Sequence, residues 1–531
     1  MQTSFNWKFP YSSQKIPVLG NNIVSTSHPL AAQAGLNMLS KGGNAVDAAI
    51  CTAITLAVVE PVNNGIGSDA FAIIWDGNKL HGLNASGKSP EKWTKEHFAK
   101  YRRMPLTGWD TVTIPGAVSA WVELWKKFGR LDFKELFKPA ILYAKHGFLV
   151  PPIIANIWKT LSKVYKKRKF PEFHKVFLSN GRSPGPGELF RNPKLSETLE
   201  LIADTKGEAF YEGILAEKIV EHAKNTEGLI TLNDLSSHEV LWQDPLNIEY
   251  NGIKVHELPP NGQGLAALIA LGILKEFNIK NHEINSPETV HLQIEAMKLA
   301  FADSYRYISD PNHLEVDPST LIKTDYLKRR AKQIDKNKTK DYNAGKPLGN
   351  GDTVYLTTAD ENGMMVSYIQ SNYFGFGSGI VIPNTGISLQ NRGNLFTLEK
   401  GHPNQVGPSK RPFHTIIPAF VTKNGEPLMS FGVMGGAMQP QGHIQVITRI
   451  FDYGENPQAA IDAPRWRFMK DLRVIIERGF KESMITNLKK KGHQLSQGNP
   501  LDFGGAQIIF KLDKGYLAAS EPRKDGHAVA Y

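Results

Sequence analysis

The chain changes character where DYNAGKPLGNGD (341–352) runs into TVYLTTADENGMMVSYI (353–369). The first stretch is polar and Gly-rich, the composition of an exposed connection where backbone is open to cleavage. The second is β-branched and aromatic from Thr353 to Ala359. It turns at Asp360-Glu361-Asn362-Gly363 and returns from Met364 to Ile369, which predicts a β-hairpin. Downstream, strands are expected at Leu428 to Val433, Val474 to Glu477, Ala506 to Leu512 and Tyr516 to Ser520. They alternate with helices at Gln441 to Phe451, Pro457 to Asp462 and Glu482 to Lys490.

Upstream, Leu131 to Ala344 reads as mostly helical. A strand near Ile253 to Leu258 interrupts it, followed by the loop PPNGQG (259–264) and the apolar helix Leu265 to Leu274. A Gly-rich loop before a helix suits phosphate, but no Walker lysine or full dinucleotide fingerprint accompanies it. Ser27 to Val59 reads as a helical pair. Pro29 sits in its first turn, Gly42-Gly43 ends the first helix, and Asn44 caps an apolar second helix from Ala45 to Val58. Glu60-Pro61 stops that helix. The loop Asn63-Asn64-Gly65-Ile66-Gly67 follows, then a strand from Ala70 to Trp75 turned by Asp76-Gly77. Mixed strands and helices with antiparallel hairpins imply a layered α+β sandwich rather than a doubly wound parallel sheet.

The 531 residues are 41% hydrophobic and 21% charged, with 47 Gly and 32 Pro. This profile fits a globular protein of one large layered domain or two smaller ones. The net charge of +11 is spread thinly. Lys166-Lys167-Arg168-Lys169 and Lys489-Lys490-Lys491 are short clusters without a nucleic-acid-binding module, so no nucleic-acid partner is expected. A mild attraction for anionic small substrates remains. Cys51, the one cysteine, excludes an internal disulfide and a cysteine-based metal site. MQTSFNWKFPYSSQKIP (1–17) lacks the apolar stretch of a secretory signal, and no apolar run is long enough to span a bilayer. A cytoplasmic protein with no membrane contact is the expectation.

The familiar nucleophiles are missing. Gly377-Ser378-Gly379 lacks the spacing of a nucleophile elbow, and the 16 histidines form no H-E-x-x-H. Thr353 is a different proposition. A threonine hydroxyl needs a base beside it, and a free α-amine, with a pKa of about 7.7–8.0, can be that base. Such an amine exists only if the Asp352–Thr353 bond is broken. By local pattern alone, an ordinary strand threonine after a loop is the stronger reading.

A set of segments changes that balance. They include SHPLAAQAG (27–35), GGNAVDAAI (42–50), EPVNNGIG (60–67), VTIPGAVSAW (112–121) and EAMKLAFADSYRY (295–307). Further on stand DTVYLTTADENG (352–363), FGFGSGI (374–380), GISLQNRGN (386–394), GPSKRPFHTIIP (407–418), VMGGAMQPQGH (433–443) and ASEPRKDGHAVAY (519–531). With these the chain resembles the γ-glutamyltranspeptidase family of self-processing N-terminal-nucleophile hydrolases, over nearly its whole length. The resemblance implies a four-layer αββα sandwich. It also implies autocleavage between Asp352 and Thr353 into a large subunit, 1–352, and a small one, 353–531. The two would stay associated as one interleaved domain, with further homo-oligomerisation left open. The family places its nucleophile at the first threonine of T-x-x-x-[ST] before an acidic turn, and Thr353, Thr357 and Asp360 match. Gly435-Gly436, between a strand and a helix, corresponds to the family's oxyanion-stabilising pair, and such backbone N–H groups suit a developing negative charge. Ser371 falls at or near a family hydroxyl that touches the nucleophile. Tyr355 and Thr357 share a strand face with Thr353 and either support it or pack. The resemblance implies a γ-glutamyltransferase- or glutathione hydrolase-like amide hydrolase and acyl transferase that works through an acyl-enzyme on Thr353, with a small-molecule amide as substrate and no metal or organic cofactor.

Other positions depart from the family. Its arginine for an α-carboxylate is missing from Ser86-Gly87-Lys88-Ser89-Pro90, leaving Lys88 as a substitute point charge. In Gln390-Asn391-Arg392-Gly393-Asn394-Leu395-Phe396, an acid becomes Leu395 and Arg392 is a new cation. The family's Ser-Ser pair becomes His414-Thr415. With Asn372 and Asn391, these are the candidate substrate-binding residues. They suit an anionic acyl group better than a zwitterion, as in a divergent γ-glutamyltransferase-like subgroup that includes an oxamate amidohydrolase. An unprocessed relative that only binds a ligand is the alternative from another class.

Overall fold

The computed structural model describes residues 15–342 and 351–531. The expected connection at 341–352 therefore lies mostly outside the described residues, as does 1–14 of the N-terminal stretch. Two seven-stranded antiparallel sheets form the centre. The first holds the expected hairpin, Asp352–Ala359 and Met365–Tyr373. Ile23–Thr26 and His527–Ala530 flank it on one side; Asp69–Trp75, Leu80–Asn84 and Leu241–Gln243 flank it on the other. The second sheet runs, in order, through Val18–Gly20, Tyr516–Ser520, Gly505–Lys511, Glu426–Met434, Ala419–Lys423, Ile253–Glu257 and Leu246–Tyr250.

Alternation along each strand sends one set of side chains between the sheets and the other towards helices. Phe71, Ile73, Tyr355, Ile369, Phe420 and Ile509 fill the space between sheets. Val354, Leu356, Ala70 and Ala72 pack outward against Ala45–Val59 and its helical neighbours. Phe431, Val421 and Val255 pack outward against Gly264–Leu274 and Pro287–Tyr307. The result is the expected four-layer αββα sandwich. Ala45–Val59 and Gly264–Leu274 are buried along their whole length, as an all-round apolar helix requires. Asn44 and Asp47 form a capping box at the start of the first of these helices, which fixes its entry.

Both sheets mix strands from either side of Asp352, so the two parts of the chain share both central layers. The sequence pattern missed Ile23–Thr26, which pairs Thr26 with Leu356, and His527–Ala530, which pairs with Ile23–Thr26 in turn. Both strands are four residues long, and their partners are remote in the chain. Among the described residues, no helix is long and apolar enough to cross a membrane. Cys51 is buried, its Sγ 3.5 Å from the Ala34 carbonyl.

Candidate active site

Thr353 lies at the start of the Asp352–Ala359 strand and is 2% exposed. Its Oγ1 donates to Ser371 Oγ at 3.1 Å, and Ser371 Oγ accepts the Tyr373 N–H at 2.8 Å. Asp352 stands opposite Tyr373, and the ladder shifts register between Asp352 and Val354. Such an irregularity re-aims backbone where pairing would otherwise be regular. Tyr373 itself has φ +80°, a costly conformation for a bulky side chain. Farther along the strand, Tyr355 and Thr357 are core contacts. The Tyr355 hydroxyl meets Ser367 at 2.7 Å, and its ring packs so closely on Gly432 that a methyl there would lie 2.4 Å from it. Thr357 meets Ser430 at 2.5 Å.

Gly435 and Gly436 connect Glu426–Met434 to the helix Met438–Phe451 with φ +125° and +60°, values that favour glycine. Their carbonyls are used. Gly435 accepts from the Met438 N–H at 3.1 Å. Gly436 accepts from the Gln439 N–H at 3.2 Å and from Gln263 Nε2 at 2.9 Å. Their N–H groups have no acceptor among the described residues. A methyl built on Gly351 would lie 3.1 Å from both Gly436 Cα and the Tyr373 carbonyl oxygen. The turn therefore adjoins the backbone leading into Asp352 and Thr353, and two free N–H groups there suit an oxyanion.

A charged group is buried beside Tyr373. The Arg392 guanidinium lies 5.3 Å from the Tyr373 ring centroid and donates from Nη1 to Thr415 Oγ1 at 2.7 Å. Arg392 is fully buried, yet its Nε and Nη2 have no partner among the described residues. Burial pulls its pKa down to about 10, with Asp69 and Tyr373 acting the other way. Asp69 is buried too, and burial pushes its carboxyl up to about 7 despite the nearby Arg392 charge. Asp69 Oδ1 accepts the Gly116 N–H at 3.1 Å, and Oδ2 lies 3.1 Å from His414 Nε2. The Ile416 N–H donates to His414 Nδ1, so the ring proton sits on Nε2 and points at Asp69. Burial and Arg392 hold His414 well below its usual range, which keeps it neutral. Burial raises the Tyr373 hydroxyl to about 12, with Arg392 and Arg467 opposing. Gln263 Nε2 bonds the carbonyls of both Thr415 and Gly436, which ties the anion-binding side to the glycine turn.

The structure thus brings Thr353, Ser371, Gly435, Gly436, Arg392, His414 and Thr415 into one connected group. Lys88 does not join it: its ammonium pairs with the exposed Glu239 at 3.2 Å, and its side chain is 33% exposed. Its charge is already matched at the surface, and the buried cation that touches Tyr373 and Thr415 is Arg392. Asn391 is occupied by backbone, accepting from the Phe374 N–H at 3.1 Å and donating to the Leu106 carbonyl at 2.8 Å. Asn372 accepts from Ser68 at 2.8 Å, while its buried Nδ2 has no partner among the described residues. Strand alternation directs it away from Ser371 and Tyr373. The sequence reading passed over Asp69, Gln263 and Tyr373. An acid opening the otherwise apolar stretch DAFAIIW (69–75) was the available signal for Asp69; Tyr373 carried none, because only register places it opposite Asp352.

Comparison with known proteins identifies the family. A sequence profile of the family Gamma-glutamyltranspeptidase matches residues 31–531. The chain is 37% identical over 525 residues to the glutathione hydrolase-like YwrD proenzyme of Bacillus subtilis, covering 96% of this chain and 98% of that protein. It is 36% identical over 522 residues to the oxamate amidohydrolase proenzyme of Klebsiella pneumoniae, covering 95% and 97%. Among solved structures, a cephalosporin acylase from Bacillus halodurans superposes with a TM-score of 0.95 at 44% identity, covering 100% of this chain and 99% of that one. With the fold, the profile and these relatives in agreement, the chain belongs to the γ-glutamyltranspeptidase family of amide hydrolases and acyltransferases.

Proposed function

We propose that Thr353 cuts the bond before itself and then acts as an N-terminal nucleophile on amides with a short anionic acyl group. The observation that carries the substrate half of this reading is Arg392, a fully buried cation with two unpartnered donors on the Tyr373 ring. Burying a charge without a partner is costly, and a substrate carboxylate would supply the partner in forked geometry.

In the precursor, Thr353 Oγ attacks the Asp352 carbonyl carbon, and the oxyanion is held by the Gly435 and Gly436 N–H groups. Collapse breaks the C–N bond, leaving an ester on Oγ and a free α-amine. Water hydrolyses the ester and leaves Asp352 with a carboxylate. Residues 1–352 and 353–531 stay together as a heterodimer because each sheet draws strands from both. In the mature enzyme the Thr353 amine takes the proton from Oγ, while Oγ attacks the substrate amide. The amine or ammonia leaves, and water or an acceptor amine takes the acyl group. A cytoplasmic location completes this reading and fits a chain whose single cysteine is a buried thiol.

The substrate half is tested by comparing ammonia release from oxamate with amine release from a γ-glutamyl anilide. Turnover of oxamate at higher kcat/KM is expected. Preference for the γ-glutamyl compound would overturn the assignment of Arg392.

The site also predicts a pH dependence of anion binding. Below about 7, Asp69 is protonated and Arg392 lacks an internal counter-charge, so an anionic ligand binds tightly. Above that pH the Asp69 carboxylate competes for the same cation. The inhibition constant of oxalate is therefore expected to rise about threefold to tenfold between pH 6 and pH 8. Asp69→Asn, which stays neutral, should flatten that curve. A wild-type constant that falls or stays level over this range would remove Asp69 from the site.

A further inference from the structure

The stretch EAMKLAFADSYRY (295–307) has no task in the reaction proposed above, yet it contains a completely buried ion pair. Glu295 and Lys298 lie one turn apart on the helix Pro287–Tyr307, with side chains 0% and 1% exposed. Lys298 Nζ donates to Glu295 Oε1 and Thr339 Oγ1, both at 2.8 Å, and to the Lys340 carbonyl. Thr339 Oγ1 donates to Glu295 Oε1 at 2.7 Å, and the Lys340 N–H donates to Oε2 at 3.1 Å. Lys298 Nζ also lies 5.3 Å from the centroid of the Tyr342 ring. A buried ion pair is tolerated only when its remaining donors and acceptors are satisfied. Here that satisfaction comes almost wholly from Thr339 and Lys340.

The neighbouring contacts hold the same segment from the other side. His291 Nε2 meets the Asp335 carbonyl at 2.8 Å, and its Nδ1 meets His493 Nε2 at 2.8 Å. The Thr339 N–H donates to the Lys491 carbonyl at 2.8 Å, and Lys491 Nζ donates to the Lys336 carbonyl at 2.8 Å. Residues 335–340 are thus fixed between a helix from one side of the cut and the 491–493 turn from the other. Lys340 stands a dozen residues before the bond to be cut.

We infer that Glu295 and Lys298 are positioning residues for self-cleavage, clamping Thr339 and Lys340 so that the chain enters the cut site from a fixed point. The inference rests on the proposed cleavage at Asp352–Thr353. Without the clamp the segment keeps its bonds to His291 and Lys491 at Asp335, Lys336 and Thr339, but the Lys340 backbone itself is no longer held. Loss of that fixed direction slows cleavage, because attack needs a near-aligned geometry. His291, Glu295 and His493 also bring ligating atoms within 4.8 Å of one another. The Lys298 ammonium, however, already occupies Glu295, and a metal cation would face it directly.

The test follows conversion of purified precursor on denaturing gels, together with kcat of the processed fraction. Glu295→Gln/Lys298→Met removes both charges and leaves neither unpaired, while Thr339→Val removes only the hydroxyl. Conversion about tenfold slower in the double variant and about threefold slower in Thr339→Val is expected, with kcat of the processed fraction unchanged. Conversion at the wild-type rate would sink the clamp, as would conversion and kcat falling together, the mark of general damage. Conversion that stops with EDTA and returns with zinc would replace the clamp by a metal site. A wild-type chain that never converts would defeat the cleavage reading itself, and the clamp with it.

Discussion

Thr353→Ala is expected to leave a single uncut chain of 531 residues with no amide hydrolysis, while the wild type separates into residues 1–352 and 353–531. In the proposed mechanism the substitution removes the one atom that serves both reactions. Without Oγ there is no attack on Asp352, so the α-amine is never released, and there is no nucleophile for the substrate. Activity should therefore fall by about 10⁴-fold or more, the scale seen when a covalent nucleophile is deleted. Little stability should be lost, because Thr353 contributes one hydroxyl bond, to Ser371, in a strand held by many others. A denaturing gel and a thermal melt together decide the matter. An alanine variant that is still cut at the same bond would end the nucleophile assignment.

Arg392→Gln is expected to lower kcat/KM for oxamate by about 10²- to 10³-fold while processing continues normally. Truncating one partner of a buried, bonded charge pair costs about 2–5 kcal/mol in binding, and every 1.4 kcal/mol is tenfold. Arg392→Lys should recover little, because a point charge cannot reproduce the fork formed by Nε and Nη2. The folded protein should tolerate the glutamine, since an unpaired buried cation is itself a cost. Two bands on the gel with poor oxamate turnover would separate failure of the pocket from failure of the nucleophile. Unchanged kcat/KM would show that the acyl group does not meet Arg392.

Much of the fold was legible in the sequence because the hairpin 353–369, the apolar helices 45–58 and 265–274, and the turn residues between them are local signals. Hydrophobic periodicity and caps act within a few residues of their cause. The short strands Ile23–Thr26 and His527–Ala530 were not legible, because their hydrogen-bonding partners lie hundreds of residues away in the chain. The candidate site divides in the same way. The glycine turn at Gly435-Gly436 is written in the residue types themselves, since only glycine takes φ of +125° there without strain. Lys88 and Asn391 matched by position but not by surroundings: one pairs with Glu239, and the other staples two loops.

By itself the sequence determined the layered α+β class, the hairpin that begins at Thr353 and the glycine turn. These follow from local propensity and from which residue types occupy motif positions. Only the tertiary structure decided that Arg392 is buried with two free donors, that Asp69 and Tyr373 border it, and that Lys88 is spent at the surface. Burial and charge pairing are sums over neighbours from distant parts of the chain, and no local pattern encodes which neighbours those are.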